Sequence, residues 1–308
     1  MRSTLTRRVA VSVLTPLTLL PLAACGQDAS AGEPGSSAES RQRSAAEAGS
    51  YAKEFKKLER KYDARLGVYV RDTGTGEELT YHADQRFAYA STFKALAAGA
   101  VLDEYSPKEM EKVVHYSEDD LIEHSPITEK HVDTGMSLRA LSAAAVRYSD
   151  NTAANLLFDA LGGPKGLDAK LAALGDDVTQ MNRYEPELNE ATPGDPRDTT
   201  TPRAFAKDLR EYVLGDVLPK DDRALLRKWM RTNVTGDALI RAGVPDDWTV
   251  ADKSGGGGYG TRNNIAIVRP DEGAPLAVSI LSSRDTKDAE YDDALIAEAA
   301  SVVADQFS

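Results

Sequence analysis

A serine and a lysine three positions apart, Ser91 and Lys94, stand immediately before or at the start of an alanine-rich segment, 95–100. Residues three apart on a helix share a face, so the Ser91 hydroxyl and the Lys94 amine can meet if a helix begins here. A serine becomes a nucleophile when a nearby base takes its proton, and a desolvated lysine can serve as that base or assist it. The pair alone is a weak signal, because the same spacing recurs at Ser50 and Lys53.

Two further motifs follow the Ser-x-x-Lys pair along the chain. Ser149-Asp150-Asn151 opens a predicted helix, where serine and aspartate are by default helix caps. Lys253-Ser254-Gly255 precedes more glycines, which is typical of a strand edge that another backbone or a ligand approaches closely. These three motifs, in this order, resemble those of the penicilloyl serine transferases, which include the class A β-lactamases and the penicillin-binding proteins.

One further segment distinguishes the hydrolases from the receptors within that group. Glu185-Pro186-Glu187-Leu188-Asn189 lies in a stretch rich in proline, glycine and aspartate, between Arg183 and Asp198. It resembles the omega loop of class A β-lactamases, whose first glutamate and last asparagine hold a hydrolytic water. Shorter signatures extend the resemblance over essentially all of 51–308: His115-Tyr116-Ser117, Ser125 to Lys130, Asp150 to Asn155 and Gly162-Gly163-Pro164.

The resemblance implies acyl transfer to Ser91 followed by hydrolysis. Ser91 would attack the strained lactam carbonyl, and the backbone N–H groups of Ser91 and Gly256 would hold the oxyanion. Either Lys94 or, through a water, Glu185 would take the Ser91 proton, and the sequence leaves that choice open. Glu185, together with Asn189, would activate the water that releases the product.

The resemblance also implies how the rest of the substrate is bound. Ser149 would pass a proton to the departing lactam nitrogen, and Asn151 would hydrogen-bond the amide of the substrate's side chain. Lys253 would supply positive charge near Ser149 and the substrate carboxylate. The Ser254 hydroxyl would bond that carboxylate, and Gly255 of the same motif is predicted to border the substrate.

Two predictions about the pocket rest on less specific signals, and a third concerns the loop. Arg241 is predicted to be a second anchor for the carboxylate, with a solvated arginine at a helix end as the alternative. Tyr116 is predicted to be an aromatic wall of the pocket. Arg183 and Asp198 are predicted to form an ion pair that closes the omega loop; otherwise they are exposed charges of small energetic weight.

The elements that must position these residues follow from the pattern of apolar side chains. Residues 91–240 read as almost wholly helical, whereas strand-like and helical segments flank them on both sides. The strand-like segments are Leu66–Val70, Leu79–Tyr81, Ile265–Val268 and Leu276–Leu281, and helical spacing occurs at Tyr51–Tyr62 and Leu295–Val303. Because isolated hairpins are marginal in water, we expect a single antiparallel sheet built from both ends of the chain.

The predicted fold class is therefore α/β, of the α+β kind. An antiparallel sheet flanked by helices would be formed by 51–90 and 241–308. An all-helical domain, 91–240, would be inserted between them, with the active site between the two parts.

Residues 1–24 have the features of a secretory signal peptide. A basic start precedes an apolar stretch, Val9 to Ala24, that is too short and too interrupted for a membrane span. The stretch ends Leu22-Ala23-Ala24-Cys25, and small residues directly before a cysteine resemble the lipobox of bacterial lipoproteins, in which the cysteine receives lipid. A simple secretory signal with an incidental Cys25 is the alternative, and the choice between general and twin-arginine export stays open.

The segment that follows, 25–50, is rich in serine, alanine, glycine and glutamate and lacks large apolar residues. It is predicted to be a flexible linker, because it cannot bury enough surface to fold. We expect an exported lipoprotein at the extracytoplasmic face of the cell membrane, held there only by lipid on Cys25, with some protein also released.

The composition excludes several classes of function. The chain carries 37 Lys plus Arg against 49 Asp plus Glu, a net charge of -12, which argues against a nucleic-acid partner. One cysteine rules out an intramolecular disulfide, and the four histidines show no zinc-binding spacing. We expect no metal, no cofactor and a monomer whose partners are β-lactam antibiotics.

Two other functions are alternatives to that of a hydrolase. A penicillin-binding receptor, or an acyltransferase of the DD-peptidase kind, would be acylated and stay acylated, but such receptors lack the 185–189 segment. A surface protein that keeps only the fold is the third alternative, although every chemical position is filled. The sequence therefore predicts a β-lactamase that hydrolyses the β-lactam amide through a serine acyl-enzyme intermediate and confers resistance; it does not reveal the substrate spectrum.

Overall fold

The structure, a computed structural model, describes the backbone of residues 35–308 and the side chains from residue 49 onward. The predicted signal peptide, 1–24, and Cys25 lie outside these residues. Ser44–Ser308 form one compact unit, which carries the sheet, the hydrophobic cores and the cavities described below. Among the helices of the described part of the chain, none combines the length and the apolar composition that a bilayer crossing needs.

Strands from both ends of the chain form one five-stranded antiparallel sheet. Its strands are β1 (Arg65–Asp72), β2 (Glu78–Tyr81), β7 (Thr249–Gly257), β8 (Thr261–Arg269) and β9 (Leu276–Ser283). The order across the sheet is β2-β1-β9-β8-β7, so the N-terminal hairpin joins the C-terminal strands through the β1–β9 pair. This confirms the prediction of one sheet built from both ends.

Helices make up most of the rest of the described chain. They are α1 (Gly35–Tyr62), α2 (Phe93–Glu104), α3 (Leu138–Tyr148), α4 (Asn151–Ala160), α5 (Pro164–Ala173), α6 (Pro202–Val213), α7 (Lys220–Arg231), α8 (Ile240–Gly243) and α9 (Asp293–Phe307). Helix α1 begins well before Tyr51, so the structure differs from the predicted linker over 35–50. Alanine, glutamate, glutamine and arginine favour helix even where no apolar side chain needs burial.

The prediction that 91–240 is all-helical is wrong in detail. Short strands β4 (Val113–Val114) and β5 (Met136–Ser137) pair with each other, and β6 (Thr199–Thr200) pairs with β3 (Phe87–Ala88). Two-residue strands are too short to show an alternating pattern of apolar residues, so the sequence gives no signal for them.

The sheet separates two hydrophobic cores. Ile265 and Ile267 of β8 join the core shared with α2, α3, α4, α6 and α7, whereas Ala266 and Val268 join the core shared with α1, α8 and α9. This alternation is the period-two pattern of a strand buried on both faces. Helix α6 packs closely against the sheet. A Cβ atom added to Gly67 of β1 would lie 2.8 Å from Cγ of Pro202, the first residue of α6.

Candidate active site

Ser91 stands in a single 3₁₀ turn, Ala90–Thr92, that leads directly into α2. Ala90 has a φ of +45°, a conformation that residues other than glycine rarely adopt. The Thr92 hydroxyl fixes the turn by donating to the Tyr89 carbonyl oxygen at 2.6 Å. Three residues later, Lys94 lies in the first turn of α2, as the Ser-x-x-Lys spacing predicts.

Lys94 is completely buried and is surrounded by acceptors. Its Nζ lies 2.5 Å from Asn151 Oδ1, 2.8 Å from the Ser149 carbonyl oxygen and 2.9 Å from Glu185 Oε1. Burial lowers the pKa of Lys94, and the neighbouring carboxylate of Glu185 partly offsets that effect. Three acceptors match the three hydrogens of an ammonium group, so the arrangement suits a protonated Lys94.

Glu185 places one carboxylate oxygen against Ser91, the predicted nucleophile. The Ser91 hydroxyl donates to Oε1 at 3.3 Å, and Asn189 Nδ2 donates to Oε2. The backbone of Glu185 is held by Asn155, whose Oδ1 accepts from the Glu185 N–H and whose Nδ2 donates to the Glu185 carbonyl, both at 2.9 Å. The following peptide bond, to Pro186, is cis. The hydrogen bonds to Asn155 and Asn189 therefore fix both the backbone and the side chain of this glutamate.

An ion pair closes the segment that carries Glu185. Arg183 Nε lies 2.5 Å from Asp198 Oδ2, and Asp198 is fully buried. The other oxygen of Asp198 accepts from the backbone N–H groups of Asn182 and Arg183 and from the Tyr89 hydroxyl. The predicted Arg183–Asp198 pair is confirmed, and it joins the segment to the residue just before the Ser91 turn.

Ser149 and Lys253 meet on the other side of Ser91. Ser149 ends α3 in the left-handed conformation, with a φ of +57°, and its Oγ accepts from Lys253 Nζ at 3.2 Å. Burial lowers the pKa of Lys253 well below its usual range, and the positive charge of Lys94 lowers it further. Between Ser149 and Asn151, Asp150 caps α4 and accepts from Ala153 N–H, as expected of an aspartate at a helix start.

Strand β7 passes directly against the turn that carries Ser91. A Cβ on Gly255 would lie 3.2 Å from the Ser91 nitrogen and 3.0 Å from the Tyr89 carbonyl oxygen, so a glycine fits here. The neighbouring Ser254 Oγ is 2.6 Å from Thr235 Oγ1. Beyond the strand, Gly258 N–H donates to the Asn189 carbonyl at 2.8 Å, which ties β7 to the segment that carries Glu185.

These groups border a cavity of about 580 Å³. Its lining combines Ser91, two residues of the Ser-Asp-Asn motif, the glycine-rich strand edge and several residues that the sequence analysis did not single out. The lining residues are Ser91, His124, Ser149, Asn151, Asn189, Thr235, Ser254, Gly255, Gly256, Gly257, Arg262 and Tyr291. Lys94, Glu185 and Lys253 lie directly behind this lining, through the contacts given above.

Arg241 does not border this cavity, so its prediction as a carboxylate anchor is wrong. Its guanidinium pairs with the fully buried Asp252 at 2.6 Å and donates to the carbonyl oxygens of Met230 and Asn233. Strand β7 alternates in direction, so Asp252 points away from the face on which Lys253 lies. Arg241 therefore neutralises a buried carboxylate behind the strand.

The cation that borders the cavity is Arg262. It stands opposite Gly256 in the β7–β8 hairpin, its Nε donates to Asp293 at 2.6 Å, and its guanidinium lies 4.6 Å from the Tyr291 ring centre. The hairpin register is the signal that could have found it, because counting back from the glycine-rich turn places Arg262 beside the Lys-Ser-Gly motif.

Tyr116 is not a wall of the pocket. It is buried in the helical core, where its hydroxyl donates to the Thr128 carbonyl oxygen at 2.7 Å. His124 borders the cavity instead, and its carbonyl oxygen accepts from the Asn151 N–H at 3.0 Å. The position of His124, directly before the Ser125-Pro126 signature, could have indicated from the sequence that this residue borders the cavity.

Comparison with known proteins agrees with this geometry. A family model described as the β-lactamase enzyme family matches residues 50–307. A β-lactamase of Amycolatopsis lactamdurans is 59% identical over 81% of this chain and 82% of its own length. β-Lactamase 1 of Streptomyces cacaoi is 53% identical over 99% of both chains. The crystal structure of a class A β-lactamase from Clostridium kluyveri superposes with a TM-score of 0.83 at 52% identity, covering 84% of this chain and 98% of that one.

A serine and a buried lysine that share one carboxylate oxygen are the arrangement expected of a serine enzyme that works by acyl transfer. In the described part of the chain, no cluster of histidine, cysteine, aspartate and glutamate could hold a metal ion. The chain belongs to the class A β-lactamases, serine hydrolases that open the β-lactam amide.

Proposed function

We propose that this β-lactamase opens the lactam ring with Ser91 and frees the product with a water that Glu185 activates. One observation carries the proposal. Glu185 Oε1 lies 3.3 Å from Ser91 Oγ and 2.9 Å from Lys94 Nζ, while Oε2 is held by Asn189. A single carboxylate therefore faces both the nucleophile and the position from which water would attack the Ser91 ester.

In acylation, Ser91 Oγ bonds to the carbonyl carbon, the bond from that carbon to the lactam nitrogen breaks, and the serine proton leaves. In the resting enzyme that proton points to Glu185. Without Glu185, the pKa of Lys94 would be raised by Asp150 alone, while burial would still lower it. A neutral Lys94 amine could then take the serine proton, so acylation has a second base in reserve.

The lactam nitrogen and the oxyanion each have a partner on the walls of the cavity. Ser149 Oγ can pass its own proton to the nitrogen and regain one from Lys94, whose Nζ lies 3.5 Å away. Lys94 in turn recovers the proton that Ser91 gave to Glu185, 2.9 Å from Lys94 Nζ, so the serine proton ends on the nitrogen and Glu185 is again a carboxylate. The backbone N–H groups of Ser91 and Gly256 can hold the oxyanion, because β7 runs against the turn that carries the nucleophile. Asn151 borders the cavity and can bond the side-chain amide.

The substrate carboxylate would bind between Ser254 and Arg262, near Lys253. Both Ser254 and Arg262 border the cavity. Lys253 lies directly behind them, where its Nζ donates to the Ser254 carbonyl oxygen at 2.7 Å. A guanidinium that is already oriented by Asp293 and Tyr291 is suited to a carboxylate. This assignment replaces Arg241.

Deacylation would use the segment between Arg183 and Asp198 as an omega loop. Asn189 Oδ1 is buried and has no hydrogen-bond partner among the described residues. It can accept a hydrogen bond from the water that Glu185 deprotonates. The resulting hydroxide bonds to the ester carbon, the bond to Ser91 Oγ breaks, and the proton returns to Ser91.

Replacement of Glu185 by alanine tests the proposal. Acylation should continue through Lys94, while hydrolysis loses its base, a loss of about 10²–10⁴-fold in rate. Intact-protein mass after mixing with benzylpenicillin should show a stable adduct that maps to Ser91. The wild type should show little adduct at steady state, and Ser91→Ala none. Wild-type turnover by Glu185→Ala would reject the role of Glu185, and a wild type acylated for hours would favour a penicillin receptor.

We also propose that the protein is an exported monomer anchored by lipid on Cys25. Support comes only from the sequence 1–25, with its basic start, apolar stretch and small residues before the cysteine. The full chain should partition with membranes, and Cys25→Ala should be released or misprocessed. An unmodified mature N-terminus at another residue, found by mass spectrometry, would reject the anchor, and light scattering would test the monomer.

A further inference from the structure

A second cavity, of about 270 Å³, lies behind the segment 191–197. Its floor includes Thr261, the first residue of β8, and its rim includes Arg65 and Ser283, which are paired in β1 and β9. It shares no lining residue with the active-site cavity. Its volume is below the roughly 300–1,000 Å³ of pockets for drug-sized ligands, so a small ligand is the suitable occupant.

The charge around this cavity is opposite to that of the chain. Four arginines line it against two aspartates, whereas the whole chain has a net charge of -12. Arg197 and Asp195 cancel each other, because both carboxylate oxygens accept from the guanidinium at 2.6 to 3.1 Å. The second aspartate, Asp285, is exposed to water, as are Arg65 and Arg86, so one aspartate faces three arginines and a positive surplus remains.

The other three arginines have no carboxylate partner within salt-bridge distance among the described residues. Arg65 donates only to Ser283 Oγ and Gln85 Oε1, both at 3.3 Å. Arg86 donates to Thr199 Oγ1 at 3.0 Å and to a backbone carbonyl. The aliphatic part of Arg284 packs against Gly260, where a Cβ would lie 2.9 Å from Arg284 Cδ. These guanidinium groups keep N–H donors for a further acceptor.

A buried hydroxyl on the floor points to the same kind of ligand. Thr261 is completely buried, and its Oγ1 has no hydrogen-bond partner among the described residues. An unpaired buried hydroxyl costs free energy, and a ligand oxygen that accepts its proton would remove that cost. Arginines on the rim and a hydroxyl on the floor thus offer more hydrogen-bond donors than the carboxylates of the lining can accept.

We propose that this cavity binds a small tetrahedral oxyanion of the phosphate class. Phosphate oxygens would accept from Arg65, Arg86 and Arg284, which match such oxygens in charge and in planar geometry, and from the Thr261 hydroxyl. Free phosphate and a small phosphomonoester offer the same oxygens.

A bound anion would join 191–197 to the ends of β8 and β9. That segment begins shortly after Asn189, which holds Glu185, and Thr261 directly precedes Arg262. The anion would therefore stabilise the folded chain close to the active site without entering it.

Titration calorimetry on the full chain tests the proposal. A boronic acid that bonds to Ser91 is added first. It covers the cations of the active site, so that phosphate cannot bind there. Sodium phosphate is then titrated at constant ionic strength set with chloride, and glycerol 1-phosphate serves as the phosphomonoester. One saturable phosphate site is expected, and Arg284→Gln and Thr261→Val should each weaken binding by about tenfold or more.

Arg147→Gln is the matched control. Arg147 lies on α3 with its guanidinium over the Tyr148 ring, away from the cavity, so this variant should bind phosphate like the wild type. Thermal unfolding of each variant without phosphate checks that the fold is kept, and Arg65→Gln gives a second test if Thr261→Val unfolds.

The proposal would be wrong if no saturable binding occurred at about tens of millimolar phosphate. It would also be wrong if the cavity variants bound phosphate as tightly as Arg147→Gln does. Phosphate binding that disappears when the boronic acid is bound would place the phosphate in the active site instead. Weaker binding of glycerol 1-phosphate than of phosphate supports a free ion as the occupant. Equal or tighter binding supports an ester. A failure of Glu185→Ala to accumulate adduct would leave this site untouched, because phosphate binding is measured with the active site blocked.

Discussion

Asn155 and Glu185 are joined by two reciprocal hydrogen bonds, both 2.9 Å long, between the side-chain amide of Asn155 and the backbone N–H and C=O of Glu185. Asn155 lies on α4, four residues after Asn151, which contacts Lys94. One helix therefore positions both Glu185, which would activate water, and Lys94, which shares an oxygen of Glu185 with Ser91.

Asn155→Ala should impair deacylation more than acylation. The backbone of Glu185 would lose both bonds, so its carboxylate would no longer be held against the attacking water, and hydrolysis should slow by about tenfold or more. Single-turnover kinetics with a chromogenic cephalosporin should separate the two steps. Equal slowing of both steps would show that Asn155 positions the whole site rather than Glu185, and full activity would show that Asn189 alone suffices.

Arg262→Gln and Arg241→Gln should differ in what they change. Arg262 borders the cavity, so its loss should raise KM for penicillins by about 10-fold to 100-fold through a missing charge-assisted contact. Arg241 pairs with the buried Asp252, so its loss should instead cost stability, by about 3–5 kcal/mol, because a buried carboxylate is left unpaired.

Steady-state kinetics and urea unfolding of both variants give the check. A rise of KM in Arg241→Gln at unchanged stability would restore the original prediction for that residue. An unchanged KM in Arg262→Gln would leave Lys253 and Ser254 as sufficient anchors.

Asp208 on α6 should make stability fall as pH rises. It is buried beside Asp176, and each carboxylate has one buried oxygen without a hydrogen-bond partner among the described residues. Burial, and then the charge and hydrogen bond of Asp176, raise the pKa of Asp208 well above its ordinary value of 3.8; Glu211 raises it further and Lys207 opposes this. A proton on Asp208 would satisfy the pair.

Since the pKa of Asp208 is higher in the folded chain than in the unfolded chain, its contribution is complete below the unfolded pKa and is lost as pH rises through the folded pKa. Asp208→Asn supplies a permanent donor and should stabilise the protein at neutral pH by about 1–2 kcal/mol, with a flatter pH profile. Urea unfolding between acid and neutral pH measures this. Asp271→Asn, in an exposed turn, is the control, and equal profiles in all three proteins would contradict the prediction.

The parts of the site that the sequence predicted are those with fixed local spacing. Ser91 and Lys94 share one helical turn, and Ser149 and Lys253 belong to motifs that need no knowledge of strand pairing. Arg262 was missed because its place beside Gly256 depends on the register of the β7–β8 hairpin. The same holds for the two-residue strands, which form only where tertiary packing brings two loops together.

His124 and Tyr116 illustrate a second limit. Both lie near the Ser125-Pro126 signature, and an aromatic side chain is equally suited to a pocket wall and to a core. Burial decides between them, and burial depends on how the loop 117–127 folds over α4. Positive charge alone also does not show which of Arg241 and Arg262 borders the cavity, because an arginine near a strand can lie on either face of the sheet.

The pairing of β1 with β9 has a consequence for the order in which the molecule is assembled. Arg65 and Ser283, which are opposite each other in this pair, are 218 residues apart in the chain. During synthesis from the N-terminus, the β1–β2 hairpin emerges early but has no third strand to pack beside it, and a lone hairpin is marginal in water. The five-stranded sheet can close only after β9 has left the ribosome, so β1 and β2 stay without their partner strands, and accessible to chaperones, until then.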